Sequence, residues 1–329
     1  MMNSSNLVEA LKNPDCYPHP VHNLRVVETH ISWVILTGDF AYKIKKPVAF
    51  PFLDFSTLKN RRWFCEEEVR LNRRLAPSVY LGVVALTGTP SAPRIGGQGP
   101  PFEYAVHMRQ FDGSQEFPRL LKQKGLRGSY LENLAERLTR FHREVAVAGP
   151  KDPYGSPDLI WKPVGECLEE IPLEHLPEGL TDDYEELRSW CRREWNGLQP
   201  QFLRRKKEGY VRECHGDLHL KNISLVEGQV CMFDALEFEP KLRWIDVLSE
   251  AAFLSMDFEA HGRPDLAYAF INRYLEETGD YEGMNVFRFY AVYRALVRAK
   301  VAGIRLSQIP KNHQEFLENF EEWARYLKL

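Results

Sequence analysis

The stretch ISLVEGQVCMFDAL (residues 223–236) constrains this chain more than any other. Two β-prone runs flank Glu227-Gly228, a pattern that predicts a hairpin. A hairpin of that length returns its second strand beside its first, so Asp234 is expected to come back close to Asn222, twelve residues earlier in the chain. Five residues before Asn222 stands Asp217, within HGDLHLKN (215–222). Two carboxylates and an amide are thus gathered by local structure alone.

That set suits phosphoryl transfer from ATP. One carboxylate must orient or deprotonate the acceptor hydroxyl, while an amide and a second carboxylate hold Mg2+ on the phosphates. Magnesium takes oxygen ligands and few protein groups, so Asn222 and Asp234 suffice chemically. The D-x-x-x-x-N spacing is that of protein-kinase catalytic loops. A transition-metal site of His215, Asp217 and His219 is the competing reading. It requires further ligands elsewhere, and neither H-x-H nor H-E-x-x-H occurs in the sequence.

The first 110 residues read as an antiparallel sheet with one helix inserted. ISWVIL (31–36), a TGD turn and FAYKIKKPV form a hairpin, and LGVVALTG (81–88) and FEYAVHMRQF (102–111) are two further strands. The helix lies within 55–77, with Ser56 as expected N-cap and Pro77 as stop. Helical periodicity dominates after Asp112: 128–145, 182–198 and nearly everything from Trp244 onward, whereas 149–180 reads as an irregular insertion. The expected fold is α+β and bilobal: an N-terminal β-rich lobe (1–112), then a larger helical lobe (113–329) carrying the catalytic loop and the hairpin.

These motifs resemble the aminoglycoside phosphotransferase superfamily, which shares the protein-kinase fold. HGDLHLKN matches its catalytic loop, FDALEF its second metal-binding segment, and RWIDVLSEAAFL its following helix. HISWVILTGDFAYKIKKPV, FLDFSTL and EEEVRLNRRLAP are similar to an uncharacterised predicted-kinase group within it, often fused to a C-terminal P-loop domain. The resemblance spans roughly residues 25–305. It implies Asp217 as base, Asn222 and Asp234 on magnesium, Asp246 bracing the catalytic loop, and His215 as a structural residue of that loop. It implies ATP bound between the lobes.

A kinase also needs a strand lysine on the phosphates and a helix glutamate to hold it. Lys43 and Lys45 share one face of FAYKIKK because strand side chains alternate; Lys43, directly after the apolar FAY, is the first choice. Of Glu66, Glu67 and Glu68, the resemblance favours Glu68. Met108, Arg109 and Gln110 are expected to offer backbone groups to adenine.

In place of G-x-G-x-x-G there is only TGD at 37–39, and no G-x-x-x-x-G-K-[ST] is present, so a P-loop partner is expected only as a separate protein. The acceptor is expected to be a small molecule, because no D-F-G…A-P-E segment is present for docking a peptide. A protein kinase, a nucleotidylyl transferase or a non-catalytic nucleotide-binding module on the same fold are the alternatives.

Composition bears on partners. With 43 basic against 46 acidic residues and a net charge of −3, nothing points to nucleic acid or a membrane surface. Six scattered cysteines without a C-x-x-C pair, and a start lacking a signal-peptide layout, fit a cytoplasmic protein with reduced thiols. Asp257, Glu259 and His261 read as an exposed helix end, and Arg294, Arg298 and Arg305 as arginines snorkelling beside an apolar face.

Overall fold

Alternation along FAYKIK sets the architecture of the N-terminal sheet. A computed structural model describes residues 4–50, 53–171, 180–308, 321, 325 and 326. Helix α1 (Ser4–Ala10) precedes strands β1 (Arg25–Glu28), β2 (Ser32–Leu36), β3 (Phe40–Lys45), β4 (Ala49–Phe50) and β5 (Leu53–Asp54). Then come α2 (Leu58–Asn72), β6 (Tyr80–Thr89), β7 (Ala92–Ile95) and β8 (Glu103–Arg109). Six of the strands form one antiparallel sheet in the order β1-β2-β3-β8-β6-β7, and β4 pairs with β5.

Tyr42 and Ile44 point to one face of this sheet and pack with Ile35, Leu86 and Ala105 against Leu7 and Leu11 at α1. Ala41 points to the opposite face, packing with Val106 and Met108 against Cys65 and Val69 of α2. Lys43 and Lys45 share the parity of Ala41, so the pleat delivers both to the α2 side.

That second core is completed by Val226 and Cys231, from the hairpin of β10 (Ile223–Val226) and β11 (Gln229–Met232). Its turn is the expected Glu227-Gly228, both left-handed at φ 52° and 76°, as a two-residue turn between right-twisted strands demands. The chain accordingly divides into two compact units, 1–120 with 222–240, and 121–221 with 241–329. The first extends past Asp112, and the hairpin belongs to it rather than to the helical lobe. Buried apolar contacts, not chain order, decide the grouping.

The second unit is mostly helical. Helix α3 (Phe117–Lys122) enters it and leads to α4 (Gly128–Glu144), α5 (Pro157–Glu170) and α6 (Leu180–Lys207). Strand β9 (Val211–Glu213) pairs with β12 (Trp244–Asp246), and the short α7 (Pro240–Arg243) leads into β12. Helices α8 (Val247–Ala260), α9 (Pro264–Thr278) and α10 (Met284–Gln308) complete it, with α8 packed on both α9 and α10. Helix α5 occupies part of the expected irregular stretch. Ser156 caps it by accepting from Leu159 N–H, and Pro157 sits at the first turn, where its missing N–H costs nothing. The remainder of that stretch, 172–179, lies outside the described residues. The α2 cap is Thr57 rather than Ser56: its hydroxyl accepts from Asn60 N–H, while Ser56 N–H donates to Asp54. No helix among the described residues is long and apolar enough to cross a membrane.

Arg205 of α6 ties the second unit together. Its guanidinium donates to both oxygens of Asp246 (2.6 and 2.8 Å) and both of Asp280 (2.8 and 2.7 Å), lying over the Tyr210 ring. Asp246 also caps α8 by accepting from Leu248 N–H. Removing the guanidinium leaves two buried carboxylates without their cation. We expect Arg205→Met to cost about 3–5 kcal/mol of unfolding free energy, the usual penalty for stranding a buried charge, read as a drop in the urea midpoint. An unchanged midpoint would contradict this assignment.

Candidate active site

Two lysines and three carboxylates form the polar centre of the first unit. Lys43 Nζ lies 2.8 Å from Glu68 Oε1 and 2.7 Å from Asp234 Oδ1. Lys45 Nζ lies 2.7 Å from Glu68 Oε2 and 2.5 Å from Glu237 Oε1, with its ammonium over the Phe55 ring. Glu68 is fully buried; Glu66 and Glu67 instead pair with Arg62 and Arg70 on the outer face of α2. Helical spacing explains the choice, because Arg61, Cys65, Glu68 and Asn72 share the inward face.

Burial alone would protonate Glu68, but the two lysines outweigh it and hold the carboxyl down at about 2. Burial likewise pushes Lys43 down, and Asp234 and Glu68 more than reverse this, holding it well above its ordinary value. Both partners stay charged at neutral pH.

The segment following the hairpin is held at several points. Phe233 N–H donates to Asn222 O at 3.0 Å, which realises the expected return of the second strand to the first. Asp234 N–H donates to the Tyr80 hydroxyl at 3.2 Å, and Ala235 N–H to Asn72 Oδ1 at 2.8 Å. Asp234 adopts a left-handed backbone, φ 62°, uncommon for a residue with a side chain. Its carboxylate is 49% exposed, against 15% for the Lys43 side chain and none for Lys45. Asn222 is buried.

Lys43 and Asp234 line a cleft of about 840 Å3 in the first unit, together with residues of β1, β6 and the 108–113 segment. Lys45, Glu68 and Glu237 do not line it. The TGD turn joins β2 to β3 and is fastened by Gly38 N–H to Gln110 Oε1, while Arg25–Val27 and Thr29, around the β1–β2 turn, line the cleft. The N–H groups of Arg109 and Gln110 donate to Val79 O and Asp39 O. They complete the sheet edge beyond Met108.

In the second unit, the loop carrying Asp217 is anchored from behind by α8 and α10. Glu250 Oε1 accepts from Gly216 N–H at 2.7 Å, and its Oε2 lies 2.9 Å from His142 Nε2, whose Nδ1 is 2.8 Å from the Tyr274 hydroxyl. Asp257 Oδ2 accepts from Leu220 N–H at 2.7 Å, and Arg294 donates to Gly216 O. Gly216 has φ 89°, and a Cβ there would sit 3.0 Å from Arg243 Cβ and Leu242 O, so only glycine fits. Asp217 N–H donates to His215 Nδ1, which makes His215 the buried loop residue expected.

His219 Nε2 lies 3.4 Å from Asp217 Oδ2 and 3.2 Å from Arg298. Burial pushes the Asp217 carboxyl up, but His219, Arg298 and His215 outweigh it and hold it at about 2. Asp246 is bonded to Arg205 and to the first turn of α8.

Sequence reasoning missed Glu250, His142, Arg294 and Arg298. The two arginines are buried against the loop instead of snorkelling, and Asp257 is a buried acceptor rather than an exposed helix end. Among the described residues, His142, Cys214 and Glu250 bring metal-ligand types within 4.8 Å of one another. His142 and Glu250 are already hydrogen-bonded to each other and to Tyr274 and Gly216, so the cluster reads as loop support.

No family model matches the chain. Uncharacterized proteins of Mycobacterium tuberculosis (strain H37Rv) and Mycobacterium bovis are 36% identical over 297 residues, covering 89% of this chain and 58% of theirs. The chain thus spans a little over half the length of the curated relatives it matches. Among solved structures, the choline kinase of Cryptosporidium parvum superimposes with a TM-score of 0.56 at 11% identity, over 98% of this chain and 94% of that one. A choline/ethanolamine kinase family protein of Mesorhizobium loti gives 0.51 at 15% identity, over 100% and 98%. The chain has the protein-kinase-like fold, with an antiparallel-sheet unit and a helical unit.

Proposed function

We propose that this protein is a phosphotransferase that uses Mg2+ and ATP to phosphorylate a hydroxyl of a small-molecule acceptor. The observation that carries the reading is the cleft of the first unit. Of the charged cluster, only Lys43 and Asp234 face it, one cation and one half-exposed carboxylate 2.7 Å apart. A lysine suits phosphate oxygens, and a half-exposed carboxylate suits magnesium. Asn222 and Asp234 would hold the metal, Lys43 the phosphates, and the 111–113 segment the base. When bound, Mg2+ and ATP supply the phosphoryl group and the charge neutralisation its transfer needs.

The chain's own contribution is positioning. Glu68 keeps Lys43 charged and aimed. Asp217 is ionised, so it accepts a hydrogen bond from an acceptor hydroxyl and orients it; a carboxyl at about 2 is a weak base, which suits a loose transition state that needs the proton only late. From Asp234 the chain reaches the α8 cap through only the short α7 and β12, which leaves little room for a peptide-docking segment and supports a small acceptor. Six buried cysteines without a disulfide support a cytoplasmic setting.

The direct test is thermal unfolding with ATP and Mg2+. At a hundredfold excess over Kd the wild type should gain about 2.7 kcal/mol, and Asp234→Ala should lose the magnesium-dependent part of that gain. A folded wild type with no shift would overturn the reading. Once an acceptor is found, Asp217→Asn should lower kcat by about 10²–10⁴-fold while nucleotide binding persists. Because the Asp217 pKa is lowered, the group is deprotonated throughout the neutral range. Its protonation should therefore add no acidic limb to kcat/KM between about pH 5 and 8, where a base of ordinary carboxylate or higher pKa would begin to show one.

A further inference from the structure

The proposed phosphotransfer site leaves one buried ion pair without a role. Lys45 and Glu237 are sealed from solvent, with side chains 0% and 5% exposed, and neither lines the cleft. They cannot touch a nucleotide where they stand. Yet Glu237 ends the segment that begins at Asp234, and Lys45 follows Lys43 by one full pleat repeat of β3. The pair therefore connects the far end of the metal-holding segment to the strand that carries the phosphate lysine.

We infer that Lys45 and Glu237 are positioning residues, a buried latch that fixes the Asp234 carboxylate for metal. This inference rests on the phosphotransferase reading. Three features carry it. Glu68 gives one oxygen to each lysine, so β3, α2 and the 234–237 segment share one network. Asn72 at the end of α2 joins the same network, donating from Nδ2 to Glu68 O and accepting from Ala235 N–H. Asp234 holds a left-handed backbone, φ 62°, one of several conformations open to an aspartate, and surrounding contacts select it. Tyr80 and Asn72 grip the backbone at 234 and 235, and the Lys45–Glu237 pair pins it at 237.

The latch also separates two duties. Lys43 can turn toward a phosphate while Glu68 keeps its other lysine, so the buried carboxylate is never left without a counter-charge. A single strand lysine would have to serve both. Outer partners that orient a metal ligand typically change metal affinity by about 10–100-fold when removed.

The test uses Lys45→Met/Glu237→Gln, which neutralises both members together and leaves net charge unchanged. Mn2+ binding in the presence of ADP is followed by electron paramagnetic resonance, and ADP binding in EDTA by calorimetry, for wild type and variant. Positioning predicts Mn2+ affinity about 10–100-fold weaker, with metal-free ADP affinity unchanged. A purely structural role would lower the melting temperature and leave both affinities alone, or weaken both equally; either result overturns the latch. If the double variant does not fold, Glu237→Gln alone retains the Lys45–Glu68 pair and must show the same selective loss of Mn2+. Wild type that binds no ADP overturns the phosphotransferase reading itself, and the latch with it. That failure is seen in the wild type, before any variant is compared.

Discussion

Glu68 divides its two carboxylate oxygens between two lysines of one strand, and the first unit is organised around that division. Charges so deeply buried persist only when paired on every side. The helix must end where Asn72 reaches the 235 backbone, and the strand must present alternate residues on the α2 face. The hairpin must then return Asp234 and Glu237 to meet the lysines. Each requirement is local, and together they admit one register.

The second unit uses the same device. Glu250 also divides its oxygens, one to the backbone of the loop carrying Asp217 and one to His142. Both are helix glutamates, fully buried, each joining its own helix to a functional segment of the same unit. A carboxylate with both oxygens engaged resists rotation, and so makes a better geometric reference than a singly bonded group. Rigid elements therefore carry the buried anchoring groups, while the Asp234 and Asp217 carboxylates stay 49% and 36% exposed.

Much of this was legible in the sequence wherever periodicity or turn chemistry is strict. A period of two puts Lys43 and Lys45 on one face whatever else the sheet does, and Glu227-Gly228 is a turn wherever it sits between two β-prone runs. Glu68 was selected among three glutamates by resemblance, and the helix repeat agrees with it. Other features were hidden for physical reasons. An arginine beside an apolar stripe looks the same in sequence whether it snorkels outward or turns in, so Arg294 and Arg298 gave no sign of their burial. Asp257 and Glu250 belong to a helix whose face is decided by which loop packs on it, and that is long-range information. Pro163 and Gly165 inside α5 mimic a loop, since helix propensity is only a weak prior against tertiary packing.

The account turns on Lys43, and not Lys45, facing the bound nucleotide. An acyl phosphate of ATP tests this directly, because it transfers its acyl group to an amine held beside the phosphates and releases ATP. Peptide mapping of the labelled protein by mass spectrometry should find the acyl group on Lys43, suppressed by excess ATP with magnesium, and none on Lys45. Label on Lys45 suppressed in the same way, or no ATP-protected lysine in the folded protein, would contradict the assignment of the cleft.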